Sequence, residues 1–194
     1  MQKTDLSSYN NSFYDPKGGL VKRTLWYFTN HLIFNHGLLP FNFIKVIMLK
    51  LFGAKIGKGV HIKPSVNIKY PWHLELGNHV WIGEKVWIDN LTLVKVENHV
   101  CISQGAMLLT GNHNYKIPAF DLRVEEIVLG EGVWIGANAI VCPGIKCNSH
   151  SVLTVNSVAT RNLDAFGIYQ GNPAIKVKNR IIEEVSHISP QKPG

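Results

Sequence analysis

The chain has 194 residues, of which 45% are hydrophobic and 17% charged, and it carries a formal net charge of +7 with a pI near 9.3. This composition predicts one domain with a sizeable buried core, preceded by an N-terminal appendage. The positive charge suits an anionic partner. Lys and Arg are nevertheless scattered, without the dense runs or motifs of nucleic-acid-binding modules, so we exclude nucleic acid as a partner.

The first 52 residues predict a helical appendage. Residues 20–34 and 41–52 have the apolar pattern of two helices, separated by a breaker segment at 36–40. In one interpretation these helices pack on the open end of the following domain or on a neighbouring subunit. In the other they contact a membrane peripherally. Five basic residues would then lie near lipid headgroups: Lys17, Lys22, Arg23, Lys45 and Lys50.

A transmembrane segment is a further alternative, because residues 24–44 contain no Asp, Glu, Lys or Arg. Asn30, Asn35, Gly37 and Pro40 within this stretch argue against a span. We find no signal peptide and expect a cytoplasmic protein, located at the inner face of the membrane if the helices contact lipid. The cysteines lack paired spacing and predict reduced thiols: Cys101, Cys142 and Cys147.

From residue 56 to residue 164 the chain can be written in rows of six. An aliphatic residue opens each row, a small or β-branched residue usually stands fifth, and glycine often stands second, as in the rows that begin at Ile56, Leu76 and Ile135. This period is neither helical nor that of a simple strand. It predicts a triangular prism in which each row forms one short strand and one corner, and three rows close a coil. Successive coils then hydrogen-bond as a parallel ladder, with the opening aliphatic residues stacked inside.

The register of the rows predicts where the prism is irregular. Leu76 and Val96 open equivalent rows 20 residues apart, so the early coils contain two extra residues, whereas Leu129 and Cys147 open rows a regular 18 residues apart. Glycine in the second place has two explanations, a corner with positive φ or a corner without room for a side chain. Residues 114–126 do not fit the repeat and predict a protruding loop.

Besides the rows, three segments together resemble the left-handed β-helix acetyltransferases: TGNHNY at 110–115, VWIGAN at 133–138 and GNPA at 171–174. Within that family, five shorter segments are similar to the colanic-acid-type O-acetyltransferases of exopolysaccharide biosynthesis: DLSSY at 5–9, LFGAKIG at 51–57, YPW at 70–72, WIDNL at 87–91 and ISQ at 102–104. The resemblance implies an all-β core, a left-handed parallel β-helix at 53–175, followed by a C-terminal tail at 176–194 that contains a short helix.

The resemblance further implies acetyl transfer from acetyl-CoA to a sugar hydroxyl, in sites formed between the subunits of a homotrimer. His113 matches the family's catalytic histidine and stands where the repeat breaks into the loop. Since imidazole exchanges protons near neutral pH, we expect it to act as general base while the hydroxyl attacks the thioester directly. Three residues at the entrance of the loop are expected to bind the acceptor: Asn112, Asn114 and Tyr115.

Two residues ahead of the loop complete the predicted site. Asn90 matches the family's active-site asparagine and is expected to hold the acceptor or orient the base. The alternative is a corner asparagine that satisfies backbone groups. Asp89 is expected either to bind acceptor hydroxyls or to hold the histidine tautomer.

Acetyl-CoA is expected in a groove between adjacent prisms, closed by the GNPA segment. Its pantetheine amides would meet backbone groups near Ala137 and Val155, where the family's contacts map. One departure is VNS at 155–157, where the family commonly has Ala-Gly-Ser, so a bulkier corner either narrows or shifts the channel. The residues implied in cofactor binding are Ala137, Val155, Thr160, Arg161, Asn172 and Pro173, with Lys176, Lys178 and Arg180, which either contact phosphates or form a solvated face.

Histidines outside the loop raise the question of a metal site, because the related γ-class carbonic anhydrases share the prism and bind a metal through three histidines. His79 and His99 occupy the fourth place of rows 20 residues apart and are expected to stack on one outer corner, whereas His61 stands sixth in its row. We therefore predict no metal.

Three functions remain compatible with these residues. The first is a sugar O-acetyltransferase, and the second is an acetyltransferase of the same fold that acts on an amino sugar or another small acceptor. The third is a non-catalytic trimeric sugar-binding scaffold. His113, Asn90 and the GNPA segment favour an enzyme over a scaffold.

Overall fold

Short parallel strands form a triangular prism of five complete coils in the computed structural model, which describes residues 2–35, 37, 39 and 41–183. Each face of the prism is one sheet that gains one strand per coil, so the predicted left-handed parallel β-helix is confirmed. In chain order the strands are β1 (Lys55–Ile56), β2 (His61–Ile62), β3 (Asn67–Ile68), β4 (Leu74–Leu76), β5 (Trp81–Ile82), β6 (Trp87–Asp89), β7 (Val94–Val96), β8 (Cys101–Ile102), β9 (Met107–Leu109), β10 (Gly111–His113), β11 (Leu122–Val124), β12 (Ile127–Leu129), β13 (Trp134–Ile135), β14 (Ile140–Val141), β15 (Lys146–Cys147), β16 (Val152–Leu153), β17 (Val158–Ala159), β18 (Gly167–Gly171) and β19 (Ala174–Asn179).

The residues that open the rows point into the prism and stack in columns, as predicted. On one face, Ile82 pairs with Ile62 of the coil before it and with Ile102 of the coil after it. All three side chains are at most 3% exposed. Burying a large aliphatic side chain is worth about 1.5–3 kcal/mol relative to leaving it in water, so the columns stabilise the prism along its length.

The ladder register confirms the spacing of the rows. Leu76 pairs with Val96, 20 residues later, and Leu129 pairs with Cys147, 18 residues later. Between β3 and β4 the additional residues include a 3₁₀ turn at Pro71–His73. The insertion lies at a corner and therefore leaves the pairing of the faces intact.

Lack of room explains the glycines in the second place of the rows. A Cβ on Gly83 would lie 2.5 Å from the backbone nitrogen of Gln104 in the next coil. One on Gly136 would lie 2.6 Å from the backbone nitrogen of Val155. Positive φ occurs instead in the fourth place, for example 55° at His79. A side chain in the second place would push successive coils apart.

One segment leaves the prism between the third and fourth coils. β10 and β11 pair antiparallel, with His113 opposite Leu122. The loop predicted at 114–126 is therefore the turn and returning strand of a β-hairpin, whose three-residue strands are too short to show a period in the sequence. Residues 110–126 are called the hairpin arm below.

Two helices precede the first coil, as predicted: α1 (Gly19–Thr29), which continues into a π-helical turn (Asn30–Phe34), and α2 (Asn42–Leu51). Residues 36, 38 and 40 of the predicted breaker segment lie outside the described residues. In the described part of the chain, no helix combines the length and apolar character that crossing a membrane requires.

The inner faces of the helices cover the open end of the first coil, where β2 and β3 have no preceding coil to bond. The Trp26 indole N–H donates to the Ile68 carbonyl oxygen at 2.9 Å. The Lys45 ammonium is buried and donates to the Lys63 carbonyl oxygen at 2.9 Å. Burial lowers the pKa of Lys45. The helices thus pack on the prism, and the placement of Lys45 near lipid headgroups was wrong because its charge satisfies carbonyls of the prism's edge.

A β-hairpin closes the other end of the described chain. β18 continues the sheet beyond β16, and β19 pairs antiparallel with β18. The short helix predicted for the C-terminal tail is absent up to residue 183, because residues 174–179 form β19 instead. Residues 184–194 lie outside the described part of the chain.

Candidate active site

His113 is the last residue of β10 and lies half-buried in the hairpin arm. Its ring stacks on the Phe120 ring, with centroids 4.5 Å apart and planes inclined by 10°. Its Nδ1 lies 2.8 Å from the backbone oxygen of Phe120. A carbonyl oxygen only accepts, so Nδ1–H must donate, and the neutral ring carries its lone pair on Nε2. The hairpin therefore fixes the tautomer and leaves Nε2 able to take a proton.

The N-terminal segment lies beside this histidine. The Tyr9 ring centroid is 5.9 Å from that of His113. The Asp5 N–H donates to the Pro118 carbonyl oxygen at 2.8 Å, which ties the segment to the turn of the arm. Neither Tyr9 nor Phe120 was predicted as a neighbour of the base. Tyr9 belongs to the DLSSY segment that carries part of the family resemblance, but the sequence of that segment does not indicate a contact with His113.

The three predicted acceptor residues lie on the same arm as His113. The Asn112 side-chain oxygen accepts from the His113 N–H at 2.7 Å, and the Asn114 side-chain oxygen accepts from the Lys116 N–H at 3.3 Å. Tyr115 is highly exposed. The structure thus brings Asn112, Asn114 and Tyr115 together around the strand end that holds the base.

Asn90 is fully buried at the corner after β6. Its amide oxygen accepts from the Tyr70 N–H at 3.0 Å, and its amide nitrogen donates to the Tyr70 carbonyl oxygen at 2.6 Å. Both ends of the amide therefore satisfy backbone groups of the preceding coil, which is the corner role given as the alternative. The burial of Asn90, rather than these two bonds, keeps an acceptor from its remaining amide N–H and oxygen lone pair.

Asp89 is mostly buried, and its carboxylate lies 3.0 Å from the Lys69 ammonium. This pair lacks hydrogen-bond alignment, so the buried Oδ1 has no hydrogen-bond partner among the described residues. The Asp89 backbone oxygen accepts from the Thr110 hydroxyl at 2.9 Å, which fixes the base of the hairpin arm to this corner. The expectation that Asp89 holds the histidine tautomer was wrong, because the Phe120 carbonyl does so.

Asp89 lines a cleft of about 750 Å³ between α1 and the prism. Its walls mix aromatic, amide and charged side chains, a composition suited to a polar ligand such as a sugar. Nearby, the Tyr14 hydroxyl donates to the Leu91 carbonyl oxygen at 2.7 Å. Burial, with smaller contributions from Tyr70 and Asp89, raises the pKa of Tyr14. The lining includes Arg23, Tyr27, Asn30, His31, Asn35, Asn67, Lys69, Tyr70, Trp87 and Asp89.

The predicted pantetheine contacts stand on one corner of the prism. The Asn156 N–H donates to the Ala137 carbonyl oxygen at 2.9 Å, so the corners of the fourth and fifth coils stack directly, with Val155 exposed beside them. The Ser157 hydroxyl is buried and accepts from the Gly171 N–H at 2.9 Å. This bond holds the exposed turn at 172–173 next to that corner. Ser157 was not among the predicted site residues.

The basic residues predicted for phosphates are not gathered there. Lys176 pairs with Asp164 at 3.4 Å. The Arg180 guanidinium donates to the Gly132 carbonyl oxygen at 2.9 Å, on the corner between β12 and β13, whereas the pantetheine corner lies between β13 and β14. Arg180 therefore braces another corner through one of its guanidinium nitrogens, and its contact with cofactor phosphates stays a prediction. Three further predicted residues are exposed: Thr160, Arg161 and Lys178.

The remaining histidines form no metal centre in the described residues, where no group of three His, Cys, Asp or Glu side chains comes close enough to hold an ion. His79 and His99 stack on one corner column as predicted, with ring centroids 5.2 Å apart. His61 packs instead against the Trp81 ring, with centroids 5.9 Å apart. The three cysteines are unpaired.

Comparison with known proteins identifies relatives that match most of the chain. No protein-family model matches. The chain is 34% identical over 167 residues to the provisionally named colanic acid biosynthesis acetyltransferase WcaF of Escherichia coli strain K12, and the alignment covers 86% of this chain and 92% of that protein.

Solved structures share the fold at lower identity. A maltose O-acetyltransferase from Clostridium difficile 630 has a TM-score of 0.75 and 18% identity, over 84% of this chain and 88% of its own. The hexapeptide-repeat-containing acetyltransferase VCA0836 from Vibrio cholerae O1 biovar eltor, solved in complex with acetyl coenzyme A, has a TM-score of 0.75 and 19% identity, with the same coverage. The 34% identity to WcaF over most of both sequences shows that this chain belongs to the WcaF family of acetyltransferases, built on the hexapeptide-repeat fold.

Proposed function

We propose that this protein transfers the acetyl group of acetyl-CoA to a sugar hydroxyl in exopolysaccharide biosynthesis, with His113 as general base. The observation that carries the proposal is the bond from His113 Nδ1–H to the Phe120 carbonyl oxygen, which leaves Nε2 as the proton acceptor. The relatives support the substrates, since WcaF is named for colanic acid biosynthesis and VCA0836 was solved with acetyl coenzyme A. Because acetyl-CoA is a cytoplasmic metabolite, we place the reaction in the cytoplasm.

The chemistry needs no covalent intermediate on the enzyme. The acceptor hydroxyl oxygen attacks the thioester carbonyl while His113 Nε2 takes the hydroxyl proton, which gives a tetrahedral oxyanion. The oxyanion collapses, the C–S bond breaks, and the imidazolium returns the proton to the CoA thiolate. The products are an acetyl ester and free CoA. Positioned general-base help of this kind is worth about 10²–10⁴ in rate.

Two neighbours of His113 support its role. The Phe120 carbonyl oxygen keeps its hydrogen bond when the ring becomes positively charged, and a charged donor strengthens that bond. The Phe120 ring holds the imidazole plane by stacking. The acceptor is held by Asn112, Asn114 and Tyr115 on the arm, with the carboxylate of Asp89 binding its hydroxyls from the cleft.

The donor lies along the corner formed by Ala137 and Val155. The pantetheine amides bond to backbone groups of that corner, and the turn at 172–173, held by Ser157, closes over them. Val155 exposes an apolar side chain where the family commonly has alanine, so the channel is shifted outward. Lys178 and Arg161 are exposed and available to the phosphates.

We further propose a homotrimer in which the hairpin arm of one chain faces the Ala137 corner of the next. Three tryptophans at row ends are 40–60% exposed on the prism, consistent with flanks that pack against other chains: Trp81, Trp87 and Trp134. Light scattering should give a trimeric mass. Mixing subunits that carry His113→Ala with subunits that carry Val155→Glu should restore activity that neither variant has alone. Full turnover by a monomer contradicts the shared site.

Free-CoA release with a panel of sugars and amino sugars tests the function. The expected result is acetyl-CoA-dependent release with a neutral sugar hydroxyl as acceptor, and mass spectrometry of the product should show an ester. Faster transfer to an amine would overturn the acceptor class while leaving acetyl transfer intact. Absence of release with every acceptor would favour the sugar-binding scaffold.

A further inference from the structure

The outer face of α1 is apolar. Val21, Leu25 and Phe28 follow the spacing i, i+4, i+7, so they share one side of the helix, and all three are more than half exposed. The opposite side carries Trp26, which is buried against the prism. A surface helix of a globular protein normally turns its polar side outward. In α1 both sides are apolar, and the outer side is exposed to solvent in the single chain.

The helix α2 also exposes an apolar face. Phe43, Ile47 and Leu51 follow the spacing i, i+4, i+8 and are 48–70% exposed. Lys45 and Leu49, on the other side, are buried against the first coil. The helix thus buries a cation and exposes aromatic and aliphatic residues. The outer face, defined here as Val21, Leu25, Phe28, Phe43, Ile47 and Leu51, therefore needs an apolar partner.

The charge around these helices indicates which partner. Residues 16–74 contain nine Lys and Arg residues and no Asp or Glu, but Lys45 is buried, and Lys17, Lys55 and Lys69 pair with Asp15, Glu75 and Asp89. The other five form no salt bridge with the described residues: Lys22, Arg23, Lys50, Lys58 and Lys63. Lys50 in α2 is exposed. A symmetric contact between two copies through this region would bring cations together without any carboxylate from the region to pair with them. A surface of anionic lipid headgroups over an apolar interior complements both the charge and the apolar side chains.

We propose that the outer face of α1 and α2 docks the protein on an anionic lipid membrane. The helices lie in the plane of the interface, because neither is long enough to span the bilayer. Their outer side chains enter the headgroup boundary while their inner side chains stay packed on the prism. The inner face therefore serves the fold and the outer face serves attachment, which resolves the two interpretations of the appendage into two faces of the same helices.

Vesicle sedimentation of the purified full-length protein tests the proposal. Wild-type protein should sediment with vesicles that contain phosphatidylglycerol and much less with pure phosphatidylcholine, and salt should release it. The variant Val21→Ser/Leu25→Ser/Phe43→Ser/Leu51→Ser, which avoids the residues that line the cleft, should lower the partition coefficient by about tenfold or more. The matched control Ile181→Ser/Ile182→Ser removes two exposed aliphatic side chains outside the helices and should bind like wild type.

Three readouts separate the outcomes. Equal binding of wild type and the fourfold variant, or no preference of wild type for anionic vesicles, overturns the proposal. A fall in the oligomeric mass of the variant in light scattering also overturns it, since the face would then cover a second copy. Free-CoA release with a soluble acceptor should be unchanged in the variant, so failure of attachment and failure of the proposed enzyme activity are distinguishable. Should the fourfold variant not fold, Leu25→Ser and Phe43→Ser are measured singly, and unchanged binding of both overturns the proposal.

Discussion

The coils of the prism and the hairpin arm hold their residues by different means. Ile102 in the third coil is fully buried between equivalent residues of the coils before and after it. His113, only eleven residues later, is half-buried and is held by one hydrogen bond and one stacked ring from its own hairpin. Repetition makes the coils stable, and departure from repetition frees a side chain for chemistry. Residues of the coils should therefore determine stability, and residues of the arm should determine turnover.

The largest expected effect is on turnover. His113→Ala removes the proposed base without disturbing a core contact, so kcat for acetyl transfer should fall by about 10²–10⁴ while the melting temperature changes little. Steady-state CoA release and a thermal melt on the same sample measure both. Loss of the fold together with activity would show that the arm is not separable from the coils. Unchanged kcat would remove His113 from its role.

A substitution in a coil should instead affect stability. Ile102→Ala should lower the free energy of unfolding by about 2–5 kcal/mol, because the coils above and below keep the cavity from collapsing. The matched control is Ile117→Ala in the turn of the arm, which should cost less than about 0.5–1 kcal/mol since that side chain is partly in water. Denaturant unfolding measures both variants. Equal costs would contradict the comparison between coil and arm.

A smaller effect on turnover is expected at the residue that positions the base. Phe120→Ala removes the stacked ring and keeps the backbone oxygen, so the tautomer is retained while the imidazole plane is less restricted. We expect kcat to fall by about tenfold, with the KM for acetyl-CoA unchanged. Phe120→Tyr should restore the stacking and most of the rate. A rise in KM with unchanged kcat would indicate that Phe120 contacts a substrate instead.

The smallest expected effect concerns the N-terminal segment that braces the arm. Tyr14→Phe removes the hydrogen bond to the Leu91 carbonyl oxygen and should cost about 0.5–1.5 kcal/mol of stability. Because burial raises the pKa of Tyr14, the wild-type hydroxyl contributes stability below the ordinary phenol pKa of about 10, and that contribution is lost as pH rises above it. The stability difference between wild type and variant should shrink from pH 8 to pH 11, as measured by denaturant unfolding. A constant difference would contradict this account.

The site was only partly predictable from the chain. His113 was predicted as the base because the repeat breaks beside it and because it matches the family's catalytic histidine, and the structure places the three predicted acceptor residues on the same arm. Asn90 and Arg180 were grouped with the site by resemblance, and the structure shows that both side chains bond to backbone groups of the prism. Which of two polar roles a residue takes depends on the atoms that surround it, and those atoms come from distant parts of the chain.

By itself, the sequence determined the coils. One buried aliphatic residue per row is a local requirement repeated along the chain, so the pairing of Leu129 with Cys147 could be read from spacing alone. Only the tertiary structure decided which histidine tautomer the Phe120 carbonyl selects, and that the helices pack one face on the prism and leave an apolar face exposed. The tautomer and the orientation of the helices both depend on how separate elements pack. The spacing of residues along the sequence does not specify the distance between such elements.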